Sequence, residues 1–135
     1  MKLEKVNYLT LNSRQKEVFN FQKVAWLLAE YGFNCIKLAD DWQGADFLAY
    51  HQSGTNTLKV QLKSRVTISR KYVGKSIFMA FPIKNSWYLI EHDELVNSIK
   101  LQTSWLASES WLNHGGYSSN NPNKQLIAVL ESSKL

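Results

Sequence analysis

The alternation of apolar and polar side chains over residues 57–66 is the strongest constraint on the fold. The apolar members are Leu58, Val60, Leu62 and Val66, and the polar members are Lys59, Gln61, Lys63 and Arg65. Successive side chains of a β-strand point to opposite faces, whereas a helix would spread both sets around its axis. The pattern therefore predicts a strand from about Thr57 to Val66, with one face in a core and the other in water.

A second strand is predicted at residues 45–51, which read ADFLAYH, and the turn-forming run QSGTN separates the two strands. A two-residue loop at the Ser-Gly pair would set Asp46 opposite Gln61, and a loop one residue later would set it opposite Lys63. Either hairpin places Asp46, Gln61 and Lys63 on one face of the sheet. Loops of three or five residues without a bulge would break this arrangement.

The other segments predict a mixed architecture. Helices are predicted at about residues 13–31, capped by Asn12 or Ser13, and at 92–99, and strands at 34–38, 76–83 and 86–90. Polar and Gly-containing runs at residues 40–44 and 115–123 predict loops. We therefore predict one α/β (mixed α+β) domain over residues 1–135. It has a central mixed sheet of about five strands, flanking helices, the first helix packed on the sheet, and a helical portion from about residue 91.

The first predicted helix carries a carboxylate on its inward side. Its apolar stripe comprises Phe21, Val24, Leu28 and Tyr31. Glu17 precedes Phe21 by one turn on that stripe, so its side chain is predicted to point toward the sheet. Glu17 is then either a residue at the sheet edge that reaches water or a further ligand for whatever Asp46 binds.

The positive charge is concentrated in the middle third of the chain. Sixteen basic and eleven acidic residues give a net charge of +5, and residues 47–90 hold seven basic residues and no acidic one. Such a segment is suited to neutralising phosphates, and a solvated polar face is the other interpretation. The predicted DNA-binding residues are Lys59, Arg65, Arg70, Lys71, Tyr72 and Lys75.

Composition excludes several other classes of protein. The single cysteine, Cys35, cannot form an internal disulfide, and the three histidines lack ligand spacing with it. Neither a GxGxxG nor a GxxxxGK[ST] phosphate loop is present. No uncharged apolar window of 18 residues occurs and the N-terminal residues lack a secretory signal, so we expect a cytoplasmic protein without membrane partners. Trp87, Trp105 and Trp111 fall in apolar segments, and so many tryptophans in a short chain favour a homodimer.

The polar face of the predicted hairpin fits phosphodiester chemistry. A hard divalent cation, Mg²⁺ or Mn²⁺, prefers oxygen ligands. The available oxygens are those of Asp46, the Gln61 side chain, the Leu62 backbone carbonyl and Glu17. A cation held there would polarise a phosphate and activate water, while the Lys63 ammonium would orient the nucleophile or stabilise charge on the phosphate oxygens. We expect Lys63 to act as a positive charge rather than as a general base.

The segments GADFLAY and LKVQLKSR, behind a helix that carries a glutamate, resemble the core of the PD-(D/E)XK nuclease superfamily, which includes restriction endonucleases and archaeal Holliday-junction resolvases. By this resemblance Asp46 matches the metal-binding Asp, Gln61 the (D/E) position and Lys63 the catalytic Lys. Glu17 matches the acid found on the first helix of many members. The resemblance covers about residues 13–66. Ala45 replaces the Pro of the motif, and Gln61 replaces its second acid, which removes one negative charge and should weaken Mg²⁺ binding.

The resemblance implies a metal-dependent DNA endonuclease that acts on duplex or branched DNA in restriction, repair or junction resolution. The alternative is a DNA-binding or complex-forming module on the same fold whose catalysis is impaired, because Gln61 is neutral. A third hypothesis is a basic interaction protein without a nucleic-acid role, in which the polar residues of the strand are only its wet face.

Overall fold

The computed structural model describes residues 1–135 and has a five-stranded central sheet flanked by helices. The helices are α1 (Ser13–Ala29), α2 (His92–Gln102), α3 (Glu109–His114) and α4 (Lys124–Leu130), and the strands are β1 (Phe33–Trp42), β2 (Ala45–His51), β3 (Thr57–Leu62), β4 (Val66–Ser69), β5 (Ile77–Ile83), β6 (Ser86–Glu91) and β7 (Gly116–Ser119). This confirms the predicted fold class. None of the helices is long and apolar enough to span a membrane.

The central sheet has the strand order β1-β2-β3-β5-β6 and is mixed. Only β3 and β5 run parallel, and the other neighbours are antiparallel. Parallel neighbours need a long crossover, which in most proteins is a helix. Here the crossover contains β4, which leaves the central sheet and pairs with β7 in a separate two-stranded sheet.

The central hairpin has one of the two predicted registers. Phe47 pairs with Val60 and Ala49 with Leu58. The loop is longer than predicted, because the His51 N–H donates to the Asn56 carbonyl and leaves four residues between them. A four-residue loop keeps the parity of a two-residue loop, so the apolar and polar faces of both strands stay where the alternation predicts them.

The predicted third strand is too long. β3 ends at Leu62, and Val66 begins β4 in the other sheet. The last central-sheet hydrogen bond of this segment runs from the Lys63 N–H to the Ala80 carbonyl. Val66 and Ile68 continue the apolar pattern because they are buried in a different part of the core, and the sequence alone does not distinguish this from one long strand.

The predicted loop at residues 40–44 is wrong as well. β1 extends from Phe33 to Trp42, so Asp40 and Asp41 lie on a strand. Its pairing with β2 shifts between Lys37 and Trp42. The turn is reduced to Gln43 and Gly44, whose φ angles of 53° and 86° match the tight hairpin turn that suits twisted strands.

Helix α1 covers one face of the sheet. Asn12 caps it in a reciprocal capping box with Gln15, as the sequence predicts for its start. Val24 and Leu28 are fully buried against Phe47 and the rest of the β2–β3 face. Tyr31 is not part of this stripe, since the helix ends at Ala29 and the Tyr31 side chain is 52% exposed.

The C-terminal portion contains helices α2, α3 and α4, and residues 115–123 are not only the loop that the sequence predicts. Residues 116–119 form β7, which pairs with β4. A second apolar cluster lies apart from the one under α1 and is formed by side chains of β4, β5 and β6. Helices α2 and α4 contribute Leu95, Ile99 and Leu126 to it. The crossover therefore has a core on one side.

His92 fixes the crossover to α2. Glu91 is the N-cap of α2, and His92 is the first residue of the helix and 0% exposed. Its Nε2 accepts a hydrogen bond from the Ser69 N–H at 3.1 Å, and its Nδ1 lies 3.2 Å from Asp93 Oδ1. Asp93 Oδ2 also accepts from the Gly74 N–H. Burial lowers the pKa of His92, although hydrogen bonding to Asp93 opposes that shift.

We predict that His92 makes the fold acid-sensitive. An unfolded histidine takes up a proton near pH 6.5, whereas the buried ring takes one up only at lower pH, so the unfolded state binds more protons in between and stability falls as pH falls below about 6.5. The free energy of unfolding, measured in urea between pH 5 and pH 8, should depend less steeply on pH for His92→Gln than for the wild type. His114→Gln, at an exposed position, is the control, and equal slopes for all three proteins would contradict the prediction.

Candidate active site

Asp46 lies where the β2–β3 ladder ends. The last backbone pair of the ladder joins Phe47 and Val60, and continuing the register places Asp46 opposite Gln61. The Asp46 carboxylate takes over as acceptor at this point, since its Oδ2 accepts a hydrogen bond from the Leu62 N–H at 2.8 Å. This bond fixes the carboxylate beside the polar face of β3.

The environment of Asp46 favours its protonated form. Burial raises the pKa of Asp46 above 3.8, and the negative charges of Glu17 and Asp41 add to the rise. The Leu62 N–H and the positive charge of Lys63 oppose it. A carboxylate held against such a cost is a group that a cation at the same place would stabilise.

Gln61 is 7% exposed, and its Oε1 atom is buried without a hydrogen-bond partner. It is the only buried side-chain nitrogen or oxygen in the structure in this condition. Leaving a buried acceptor unpaired costs about 1–3 kcal/mol. The side chain lines the same cleft as Asp46, so a ligand in this cleft could supply the missing partner.

The cleft has a volume of about 390 Å³ and brings the predicted site residues together. Those lining it are Glu17, Asp46, Gln61, Leu62 and Lys63. The remaining lining residues are Tyr8, Ser13, Lys16, Asn20 and Ser64. A carboxylate, an amide oxygen and an ammonium group thus share one cleft, as the hairpin register predicts.

Glu17 reaches the rim of this cleft. Its side chain is 53% exposed, and Oε1 lies 3.1 Å from the Lys37 Nζ atom. The pair is exposed and is expected to contribute at most about 1 kcal/mol. The pairing with Lys37 fits the edge position that the sequence left open, and the negative charge of Glu17 adds to the raised pKa of Asp46.

No group of three His, Cys, Asp or Glu side chains lies close enough together to hold a metal ion. A divalent cation beside Asp46 would therefore use the Gln61 amide oxygen or water for its other positions, with Glu17 available only if it released Lys37. Oxygen donors of this kind suit Mg²⁺ or Mn²⁺. The unpartnered Gln61 Oε1 is the observation that fits such an ion.

The predicted DNA-binding residues divide into free and occupied side chains. Lys71 and Lys75 are exposed and line a second cleft of about 530 Å³ with Lys59. Lys59 is occupied within the protein, because its Nζ donates to the Lys75 carbonyl at 2.8 Å and to Gln43 Oε1 at 3.3 Å. Arg65 is exposed.

Tyr72 and Arg70 are placed differently from what the sequence predicts. Tyr72 is 2% exposed, so its ring is part of the core and has almost no surface for a ligand. The Lys63 and Lys71 ammonium groups lie 6.0 Å and 5.0 Å from the centroid of that ring. Arg70 lies over the Trp111 ring and donates to the Leu112 carbonyl, which ties it to α3.

Sequence reasoning missed several residues of the cleft. Asn20 is buried one turn after Glu17 and donates to the Tyr8 hydroxyl at 2.9 Å. Helical spacing could have identified Asn20, because it belongs to the inward side of α1. Tyr8 and Lys16, whose Nζ lies 5.4 Å from the Tyr8 ring centroid, have no comparable local signal.

Two nucleases of known structure resemble this chain. A bacterial homing endonuclease aligns over 90% of this chain and 94% of its own, with a TM-score of 0.51 and 13% sequence identity. The Holliday junction resolvase of the archaeal hyperthermophile Archaeoglobus fulgidus aligns over 58% of this chain and 74% of its own, with a TM-score of 0.47 and 17% identity.

The protein has a restriction endonuclease-like fold. This confirms the fold that the resemblance to PD-(D/E)XK nucleases implies. No protein-family model and no curated protein matches the sequence. Within the restriction endonuclease-like fold of this chain, the cleft at Asp46 lies where β2 and β3 stop pairing and α1 begins.

We predict that Asp46→Asn stabilises the fold near neutral pH. The folded pKa of Asp46 is raised, so the native state binds the proton more tightly than the unfolded state, and ionisation above that pKa costs stability. The variant keeps an oxygen acceptor for the Leu62 N–H. Its advantage should disappear as pH falls through the raised pKa toward 3.8, in denaturant titrations without divalent cations.

The control for this prediction is Asp40→Asn at an exposed carboxylate, which should change the free energy of unfolding by no more than about 0.5 kcal/mol. An Asp46→Asn protein that is less stable than the wild type at pH 7 would contradict the prediction.

Proposed function

We propose that this protein is a metal-dependent DNA endonuclease, with its active site in the cleft at Asp46. The unpartnered, buried Oε1 of Gln61, a residue that lines the same cleft as Asp46, carries the proposal. An ammonium group, Lys63, lines the same cleft, and the fold is one that nucleases use. The cationic surface at Lys71 and Lys75 supports a polyanionic substrate such as duplex or branched DNA.

Asp46 and Gln61 would hold a Mg²⁺ or Mn²⁺ ion, with the Leu62 carbonyl and Glu17 as further oxygen donors. Such an ion would polarise a bound phosphate and lower the pKa of a bound water. Asp46 is held in place by the Leu62 N–H, so it is oriented before any substrate arrives. The positive charge of Lys63 stabilises the negative charge that develops on the phosphate oxygens.

A DNA-binding module without catalysis is the second candidate, and one observation favours it. The cleft lacks a group of three acidic or imidazole ligands, and the second acid of the motif is the neutral Gln61. Fewer anionic ligands lower the affinity for a hard divalent cation. The two candidates share the fold and the DNA surface and differ in whether a bound phosphodiester is cut.

Cleavage of plasmid and branched DNA with Mg²⁺ or Mn²⁺ tests the proposal. We expect Asp46→Asn to abolish cleavage, because the anionic ligand is lost. Lys63→Met should lower the cleavage rate by about 10²–10³-fold, the usual effect of removing one group that stabilises charge in a transition state. Single-turnover rates at saturating protein measure these losses without a contribution from affinity.

Lys100→Met provides the matched control, since it removes the same charge from an exposed position on α2. It should cut DNA at the wild-type rate. DNA binding by the wild type without cutting at any metal concentration would favour the module, and the absence of both binding and cutting would contradict both candidates.

Cation binding can be measured separately from cleavage. Saturating Mg²⁺ should raise the thermal unfolding temperature of the wild type, because a ligand of the native state stabilises it by mass action. We expect a larger rise for Gln61→Glu, which restores a second anionic ligand, and no rise for Asp46→Asn. Equal shifts in all three proteins would show that Mg²⁺ binds elsewhere.

A further inference from the structure

The small sheet formed by β4 and β7 presents a smooth polar face. Val66 and Ile68 point into the core, so the alternate residues of β4 point outward. On this outer face Thr67 lies opposite Ser118, and Ser69 lies opposite Gly116. These side chains are short, uncharged and half-exposed. A long molecule could therefore lie along these four positions without meeting a bulky side chain.

A shallow cleft of about 300 Å³ follows this face, and we call it the ribbon groove. Its lining includes the outward side chains Thr67, Ser69 and Ser118 and the ammonium groups of Lys63 and Lys71. No carboxylate lines it. By contrast, Asp41 lines the second cleft at Lys59, and Asp46 and Glu17 line the cleft of the candidate site.

The ribbon groove is continuous with the candidate site. Lys63 lines the ribbon groove and the cleft of the candidate site. Lys71 lines the ribbon groove and the cleft at Lys59. The buried Tyr72 ring lies within 6.0 Å of each ammonium group and so provides a fixed support between the two lysines. A chain of phosphates at Asp46 would meet Lys63 first and then the face of β4 and β7.

We propose that the ribbon groove binds the sugar–phosphate backbone of the DNA strand that extends from the phosphodiester at Asp46. The inference rests on the proposed function and adds the path of the substrate. Its basis is charge complementarity, because lysines and Ser or Thr hydroxyls are the groups that contact phosphates in protein–DNA complexes. No acidic side chain lines the ribbon groove, so a polyanion meets no repulsion from its lining.

Binding of labelled duplex and branched DNA without metal, followed by anisotropy, tests this path. Thr67→Glu and Ser118→Glu each add one negative charge to the floor of the ribbon groove, and each should weaken binding by at least about tenfold. Gln52→Glu adds the same charge at the far end of the β2–β3 hairpin and should change affinity by less than about twofold. Lys71→Ala should reduce the slope of log K against log salt by about 1.

Thiol protection gives a second readout that does not depend on the stability of the glutamate variants. Cys35 is the single native cysteine, and burial raises the pKa of its thiol to about 11, so it should react slowly with maleimide. A cysteine introduced by Ser118→Cys should be labelled rapidly in the free protein and at least about fivefold more slowly with saturating DNA. A cysteine introduced by Gln52→Cys should be labelled at the same rate in both conditions.

The outcomes separate this inference from the proposed function. If the wild type binds and cuts DNA while Thr67→Glu, Ser118→Glu and Gln52→Glu bind equally well, or if DNA leaves the Ser118→Cys label rate unchanged, the path is wrong and the nuclease stands. If the wild type neither binds nor cuts DNA, both fail. Binding without cutting, together with weakened binding by the groove variants, supports the path on the non-catalytic module.

Discussion

The hydrogen bond between Asp46 Oδ2 and the Leu62 N–H is the interaction on which the site depends. It forms where the backbone pairing of β2 with β3 stops, so the Asp46 side chain takes the place of the next backbone acceptor for β3. Beyond this point β3 still pairs with β5. The same bond fixes the carboxylate on the polar face of the hairpin. Any slip of the register by one residue would turn this face into the core and disperse the cleft.

The cleft concentrates unfavourable features that the rest of the fold avoids. Asp46 is half-buried and the negative charges of Glu17 and Asp41 add to the rise of its pKa, and the only unpartnered buried side-chain oxygen, that of Gln61, belongs to a residue of the same cleft. Elsewhere the core is apolar, and its one fully buried imidazole, His92, is hydrogen-bonded at both ring nitrogens. An unpartnered buried acceptor confined to one cleft is expected where selection acts on function as well as on stability.

The sequence predicts best what short-range patterns determine. The alternation around Gln61 and the turn between the two strands were sufficient for the hairpin, its faces and the grouping of Asp46, Gln61 and Lys63, and the caps of α1 were sufficient for the first helix. The end of β3 was missed because Val66 continues the same alternation into another sheet. Whether a side chain is covered depends on distant elements, so Tyr72 was mistaken for a surface residue when in fact it packs beside His92 of α2.

The pairing of β4 with β7 has a consequence for the order of folding. Val66 pairs with Ser119, so about fifty residues must be brought into place before this sheet exists, whereas the hairpin of β2 and β3 closes through a loop of a few residues. Contacts between distant parts of a chain carry a larger entropic cost of closure and are favoured only after local ones have formed. We therefore expect the hairpin that carries Asp46 to form before β4 pairs with β7, and a nascent chain would expose Val66 and Ile68 until its C-terminal third emerges.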